Sequence, residues 1–429
     1  MADKYFYRCN DCGTEYPPDQ VIYLCPACQE KNVPGIPPKG VLKTLFNYER
    51  LKKSAVQGKL FDWLKKRSFL DLMPIKNLES LPPLRIGQTP LYMWAGGLAD
   101  WRTGGLADKL KGELNFEVYL KDDSQNPTFS FKDRASSLVS AWAKEHDIET
   151  IIAASTGNAG SSLAGICASQ GQKAIIFVPA TAPLAKLTQI VMYGAKIIPV
   201  KGKYDDAFEL SMMATKRWGY YNRNTAFNPL TIEGKKTVVF ELYDQLGCVV
   251  PDRVFVPLGD GVVISGVFKG FEDLLNLGII EKMPVVVGVQ ASGSPNVANN
   301  LGASVFTSVP SKTIADSISV DVPGNFYMTA GYLKKYQGAC ITVTDEEILE
   351  ASNMLSKSSG IFTEPASAAA FAGILHYRDQ GKMNPGSTNV VLLTGSGLKD
   401  LKSVQPFLNI PDAVENDIRE VELLLKKNN

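Results

Sequence analysis

The chain has 429 residues, 45 Lys and Arg against 44 Asp and Glu, and 45% hydrophobic residues, enough apolar chain for roughly two or three folded domains. A formal charge of +1 gives no overall attraction for nucleic acid or an anionic membrane, and the apolar content excludes a disordered chain. With only two histidines, His146 at a polar helix end and His376 beside an Ala-rich helix, a Ser-His-Asp triad or a His-rich metal site is a poor explanation of any chemistry. Proton transfer is expected from a lysine, a carboxylate or a cofactor.

The N-terminal residues MADKYFYRCND lack the apolar stretch of a signal peptide, and no run approaches the ~20 apolar residues of a membrane span. A reducing cytoplasm is the expected compartment. Cys9 and Cys12 form one CxxC pair, and Cys25 and Cys28 form a second after twelve residues. Four thiolates meeting at one point make a closed tetrahedral zinc site, so residues 1–34 are expected to be a zinc-ribbon-like segment with a structural zinc. A reduced ribbon without metal, or two disulfides, is the alternative. Thioredoxin-type redox chemistry would need a CxxC at a helix start in a βαβ unit, which this stretch lacks. Cys167, Cys248 and Cys340 lie in apolar surroundings and are expected to be buried.

PGIPPKG, residues 34–40, is expected to be a linker, and residues 41–71 place Leu, Phe and Trp at helical spacing among Lys and Arg. Residues 35–84 are thus expected to form a helical lead segment. After a second Pro-rich break, LESLPPLRIGQTPLY, short runs rich in β-branched residues alternate with helix-like stretches from about 116 to 400. This pattern predicts buried parallel strands in βαβ units, an α/β protein with two wound sheets. The tail, 411–429, is expected to be a surface helix.

In open parallel sheets ligands bind beyond the carboxyl ends of the strands, and three turns in such positions carry chemistry. In NPTFSFKDRASS, Lys132 begins a helix after Phe129 and Phe131; an apolar shell and a helix N-terminus both disfavour its ammonium and would make the amine nucleophilic. The same residues would also suit a surface lysine paired with Asp133. In ASTGNAGSSLAG, Ser155, Thr156 and Gly157 form a polar turn able to grip a carboxylate, and the Asn158 amide can donate to a phenolic oxygen. In VFVPLGDGVVISG, the amides from Gly259 through Asp260, Gly261 and Val262 to Val263 could cradle a phosphate, provided Asp260 turns outward to cap amides or to meet a cation. A plain strand-to-helix glycine turn would look the same. Neither a Walker loop nor a dinucleotide GxGxxG fingerprint occurs.

Taken in order, the Cys-rich ribbon, IGQTPLY, SFKDR, STGNAG, the glycine turn, EPASAAA at 364–370 and LLTGSGLKD at 392–400 resemble the fold type II pyridoxal-phosphate enzymes, and within them the threonine synthase family. The resemblance covers essentially the whole chain. It implies a larger domain, 85–124 with 229–410, that binds pyridoxal 5′-phosphate, and a smaller one, 125–228, that carries Lys132 and the STGN turn. By the same resemblance Lys132 would hold the cofactor covalently and move protons. Asn158 would bond the cofactor's O3′, residues 259–263 its phosphate, and Thr394 its ring nitrogen, while Ser155 and Thr156 would meet the substrate carboxylate. The implied activity is a carbon–oxygen lyase reaction on a phosphate ester, O-phospho-L-homoserine and water giving L-threonine and phosphate, and the implied assembly is a homodimer.

Two positions depart from the family pattern. Threonine synthases commonly carry a Thr after the Asn of the STGN turn and an Arg in an NPxRxEG segment, both facing the substrate phosphate; here these are Ala159 and, in NPLTIEG, Thr231. Loss of such a charged contact costs about 2–5 kcal/mol. Lys235, Lys236, Arg223 or Lys269 could replace it, according to which of them points inward. The departures leave open a related β-replacement or β-elimination, cysteate-synthase-like or threonine-dehydratase-like, as well as a catalytically silent member acting as a binding module.

Overall fold

The computed structural model describes residues 3–18, 23–55, 58–94, 116–407 and 410–427. Its first sheet is antiparallel, with β1 (Tyr5–Cys9) between β2 (Glu15–Tyr16) and β3 (Leu42–Phe46). β3 falls in the stretch expected to be helical. Its residues pair with β1 from Tyr5 opposite Phe46 to Cys9 opposite Leu42, and the gain from burying Leu42, Leu45 and Phe46 there overrides the helical spacing. Two short helices, Tyr48–Lys52 and Leu60–Lys66, follow.

The chain then runs through β4 (Leu91–Met93) and β5 (Glu117–Asp122) and leaves for a smaller sheet. That sheet consists of β6 (Thr150–Ala154), β7 (Lys173–Pro179), β8 (Lys196–Val200) and β9 (Tyr221–Asn222), all parallel, in the order β8-β7-β6-β9. It returns for β10 (Arg253–Pro257), β11 (Val285–Ala291), β12 (Ala339–Val343) and β13 (Thr388–Leu393). These join β5 and β4 in the order β12-β11-β10-β13-β5-β4, with β4 alone antiparallel. Residues 95–115 of the stretch expected as 85–124 lie outside the described residues.

The α/β class with parallel sheets follows from the Val and Ile runs: Val286, Val287 and Val289 in β11 and Val390, Val391 and Leu392 in β13 are all buried, as strands covered on both faces require. From β10 the sheet grows through β11 in one direction, and from β13 through β5 in the other, so the strand order reverses between β10 and β13. A crevice at such a reversal is where open parallel sheets take ligands. Among the described residues no helix is long and apolar enough to cross a membrane.

Two of the three scattered cysteines are not core residues. Cys167 is buried, whereas Cys248 is exposed in a turn with a φ of 64° directly after Gly247, and Cys340 is half-buried because β12 is an edge strand. Neither histidine lies in the site described below: His146 stacks on Trp142 at 3.8 Å, and His376 sits 3.4 Å from Glu347.

Candidate active site

The loaded turns all lie at carboxyl ends of strands: β5 leads to Lys132, β6 to Ser155, β10 to Gly259 and β13 to Thr394. The segments before Lys132 and after β13 are tied together. Phe131 N donates to Thr394 O at 2.8 Å, Ser396 N donates to Phe129 O at 3.1 Å, and Ser130 bridges Gly395. Lys132 opens the helix Lys132–Glu145. Phe131 beneath it is fully buried, but Phe129 turns outward with a φ of 65°, so only one of the two expected phenyl rings shields the lysine.

Asp133 is not its partner. That carboxylate accepts from Thr128 N at 2.7 Å and from Thr128 Oγ1 at 2.5 Å, and among the described residues Lys132 Nζ has no hydrogen-bond or ion-pair partner. Burial lowers the Lys132 pKa; the carboxylates of Glu364 and Asp260 oppose this, and Arg223 adds to it. The balance favours an amine that loses its proton more readily than an ordinary lysine.

The helix Asn158–Gln170 begins where β6 ends, with Gly157 as its N-cap and Ser155 and Thr156 half-buried before it. Asn158 Nδ2 donates to both carboxylate oxygens of Glu364, at 3.1 and 2.8 Å, and to Ser317 Oγ at 3.3 Å. Glu364 is buried, its pKa raised by that burial and lowered by Lys132 and the Asn158 amide. A Cβ at residue 395 would come within 2.5 Å of Glu364 Oε1, so the glycine of LLTGSG is what admits the carboxylate.

Asp260 does turn outward to an amide: its Oδ1 accepts from Val262 N at 2.9 Å. Gly261, at a φ of 88°, is the N-cap of the helix Val262–Asn276, and a Cβ there would lie 2.3 Å from Thr329 Oγ1. Apart from Val262 N, which Asp260 caps, the amides of this helix start are of the kind that lack an intrahelical acceptor and suit a phosphate. Thr394 is buried, its hydroxyl 3.1 Å from Ser367 Oγ, and Ser367 Oγ also accepts from the amides of Thr394 and Gly395 at 2.8 Å each. Lysine, asparagine, helix amides and hydroxyl thus fit a phosphorylated pyridine aldehyde by the chemistry of their donors, with a partnerless amine at the centre.

The four cations considered for a substrate phosphate separate into two kinds. Lys236 pairs with Glu233 at 2.5 Å and Asp273 at 2.7 Å, and Lys269 pairs with Asp273, all fully buried. Their charges are already matched. Arg223 and Lys235 are also fully buried, yet Arg223 Nη2 and Lys235 Nζ have no partner among the described residues. Thr231 is no substitute for an arginine: its hydroxyl is fully buried and donates to Asn228 O at 2.7 Å.

Residues that the motifs did not single out also face this centre. Glu364, the first residue of EPASAAA and just before a Pro-led helix, is one; the motif marked the segment but gave its acid no role. Lys399 is another, with Nζ donating to Thr128 O at 3.0 Å, Ser161 Oγ at 2.9 Å and Gln189 Oε1 at 2.7 Å. Burial lowers its pKa to about 8.

In the ribbon, Cys9, Cys12, Cys25 and Cys28 bring their sulfurs within 4.8 Å of one another. Cys9 to Cys28 and Cys12 to Cys25 are each 3.7 Å, close to the ~3.8 Å edge of a tetrahedron with zinc–sulfur bonds of ~2.3 Å. Gly40 packs against this knuckle with a φ of 92°, where a Cβ would lie 3.2 Å from Cys28 Cβ. The donor set fits a closed structural zinc site.

The family model for pyridoxal-phosphate dependent enzymes matches residues 84–395. A threonine synthase of Methanocaldococcus jannaschii is 34% identical over 98% of this chain and 99% of its own length, and one of Methanosarcina acetivorans is 32% identical over 96% and 97%. Among solved structures, a threonine deaminase of T.th. superposes with a TM-score of 0.60 at 25% identity, covering 72% of this chain and 92% of its own. A lysine, an amide and a glycine-turned helix start converging at a sheet reversal agree with these matches, and the chain belongs to the pyridoxal-phosphate-dependent enzymes and, within them, to the threonine synthase family.

Proposed function

We propose that the protein is a threonine synthase that converts O-phospho-L-homoserine and water to L-threonine and phosphate, working as a homodimer. The observation that carries the reading is Lys132, an amine without a partner among the described residues whose pKa burial lowers, set among Asn158, the Gly261–Val263 helix start and Thr394. Pyridoxal phosphate, when bound, supplies the electron sink for charge developing at the amino acid's Cα. Lys132 would anchor it and carry protons to and from Cα and Cβ. Asn158 would orient its phenolic oxygen, the amides of the 259–263 turn that Asp260 does not cap would take its phosphate, and the Thr394 hydroxyl would face its ring nitrogen, as suits a neutral ring. Ser155, Thr156 and the start of their helix would hold the substrate carboxylate, excluding water from one face of the site.

A second reading, elimination or replacement on another amino acid, is favoured by Thr231 and Ala159 at the positions where the family places its phosphate contacts. Product identification and phosphate release with O-phosphohomoserine, O-phosphoserine, threonine and serine separate the two. Threonine from the first substrate is the expected result. Turnover of another of these amino acids without threonine from O-phosphohomoserine would replace the leading reading by the second.

A further inference from the structure

We propose that Arg223 and Lys235 together form a buried two-cation receptor for the substrate's phosphate and replace the arginine that the family places at residue 231; this rests on the function proposed above. Arg223 sits just after β9, with Nε donating to Ser136 Oγ at 3.2 Å and Nη1 to Thr225 Oγ1 at 2.8 Å, so its plane is fixed while Nη2 is left to point at a ligand. Ser136 is one turn after Lys132 on the same helix face, which sets the guanidinium on the lysine's side of the site.

Lys235 is one turn after Thr231 on the helix Leu230–Gln245, and residues four apart share a face. Its placement follows from close approaches between this helix and Val262–Asn276. A Cβ at Gly266 would lie 2.7 Å from Lys235 Cβ, and one at Gly270 2.6 Å from Val239 Cβ. The helices therefore run parallel with a fixed offset, and the same offset puts Thr231 beside Val262, at the start of the second helix. Helical side chains lean toward their own N-terminus, so the Lys235 ammonium reaches back toward the level of residue 231.

The charges around this point do not balance. Asp260 is the acid that Lys132, Arg223 and Lys235 all feel; Arg223 also feels Asp133, whose carboxylate is held by Thr128, whereas Asp260 is the one acid acting on Lys235. Burial lowers the Arg223 pKa to about 10 and that of Lys235 well below the usual lysine value, and the nearby acids offset this only in part, the response of cations kept from water without a bonded counter-ion. A phosphomonoester dianion supplies the missing charge. Two such groups meet in the site. The cofactor's would have its seat at the amides of the 259–263 turn that Asp260 leaves free, and the substrate's is the one whose family contact at residue 231 is absent, so the pair is assigned to the substrate.

The test uses holoenzyme and isothermal titration with inorganic phosphate, the non-cleavable phosphonate analogue of O-phospho-L-homoserine and L-homoserine, on wild type, Lys235→Met and Arg223→Lys. Lys235→Met is expected to weaken phosphate and phosphonate about thirtyfold or more and to leave homoserine within about twofold, with the visible absorbance of bound cofactor retained. Arg223→Lys keeps the charge but not the fixed fork and is expected to lose about tenfold. Adding Thr231→Arg to Lys235→Met should recover phosphate affinity, which a merely structural role for Lys235 would not predict. Unchanged phosphate affinity in Lys235→Met overturns the proposal; so does loss of the cofactor with the preference for the phosphonate over homoserine intact, which would assign the pair to the cofactor's phosphate. Wild-type holoenzyme that takes up no inorganic phosphate overturns it without any variant. Phosphate binding that depends on Lys235 in a protein inactive on O-phosphohomoserine would keep the receptor and reject the function proposed above.

Discussion

Gly234 is where a single methyl group should move Lys132, the lysine proposed to carry the chemistry. The helix carrying Lys132 crosses Leu230–Gln245 at this residue, and a Cβ on Gly234 would lie 2.2 Å from Arg134 O and 2.7 Å from Ala135 Cα. Those are backbone atoms, two and three residues from Lys132, so no rotamer change can relieve them. Restoring an ordinary carbon contact of about 3.5 Å requires a displacement of roughly 1 Å. The alanine gains about 1 kcal/mol of helix propensity, against about 1–3 kcal/mol for overpacking, so stability falls modestly or hardly at all. A misplacement of about 1 Å at a reacting group is worth on the order of a hundredfold in rate. We expect Gly234→Ala to lower kcat/KM about a hundredfold while its denaturant midpoint moves little. Gly331, inside the helix Phe326–Lys335 with nothing within 4 Å of its Cβ position, is the matched control. Gly331→Ala should keep full activity and gain up to about 1 kcal/mol. The reasoning is refuted if the two alanines behave alike.

Acid should act through Glu272, which ties the ribbon to the body: it pairs with Lys43 of β3 and accepts from Tyr332 at 3.1 Å and Tyr336 at 2.8 Å. Burial pushes its pKa up, but Lys43 and these hydrogen bonds hold it down to about 2 from an ordinary 4.5. A depressed carboxyl contributes stability above its unfolded pKa and loses it as pH falls through the folded one, here about 3 kcal/mol between pH 4.5 and 2. Urea unfolding should thus show a gap between wild type and Glu272→Gln that is constant above about pH 5 and closes by that amount in the acid window; a gap independent of pH would contradict the assignment. For the ribbon, elemental analysis is expected to find about one zinc per chain in wild type and none in a Cys9→Ser, Cys28→Ser variant. Chelation should lower Tm, because Tyr23 of the ribbon accepts from Asn222 N at 2.9 Å and stacks on Phe227 at 4.3 Å, on either side of Arg223. An unchanged melting curve after complete removal of metal would argue that the thiols need no ion.

Those elements whose physics is local were legible in the chain. A β-branched run closed by glycine or a polar turn reads as a buried strand followed by a turn, which is why the sequence places Lys132, Asn158, Gly261 and Thr394 after strands; that these turns take a ligand came from the order of the motifs and not from any one of them. Contacts between distant segments were not legible. β3 is a strand because β1 offers it a partner, and Phe129 leaves the lysine because its backbone must turn to meet Ser396. Glu364 enters the site only because residue 395, far along the chain, has no side chain to exclude it.

Lys235 and Lys236 sharpen the same point. They are adjacent and chemically identical in sequence, but neighbours on a helix point about 100° apart. Lys236 turns to Phe46, with its ammonium 4.2 Å from the ring centroid, and to Glu233 and Asp273, where its charge is matched. Lys235 turns to the seam shared with Gly266 and finds no acid of its own. A nearly neutral chain can therefore hold a strongly unbalanced point: the balance is struck over 45 cations and 44 acids, whereas the phosphate meets only those left without a partner by packing. A buried cation without a bonded partner is costly, and a dianionic ligand within reach of both Arg223 and Lys235 would offset that cost at the one point where packing leaves it unmet.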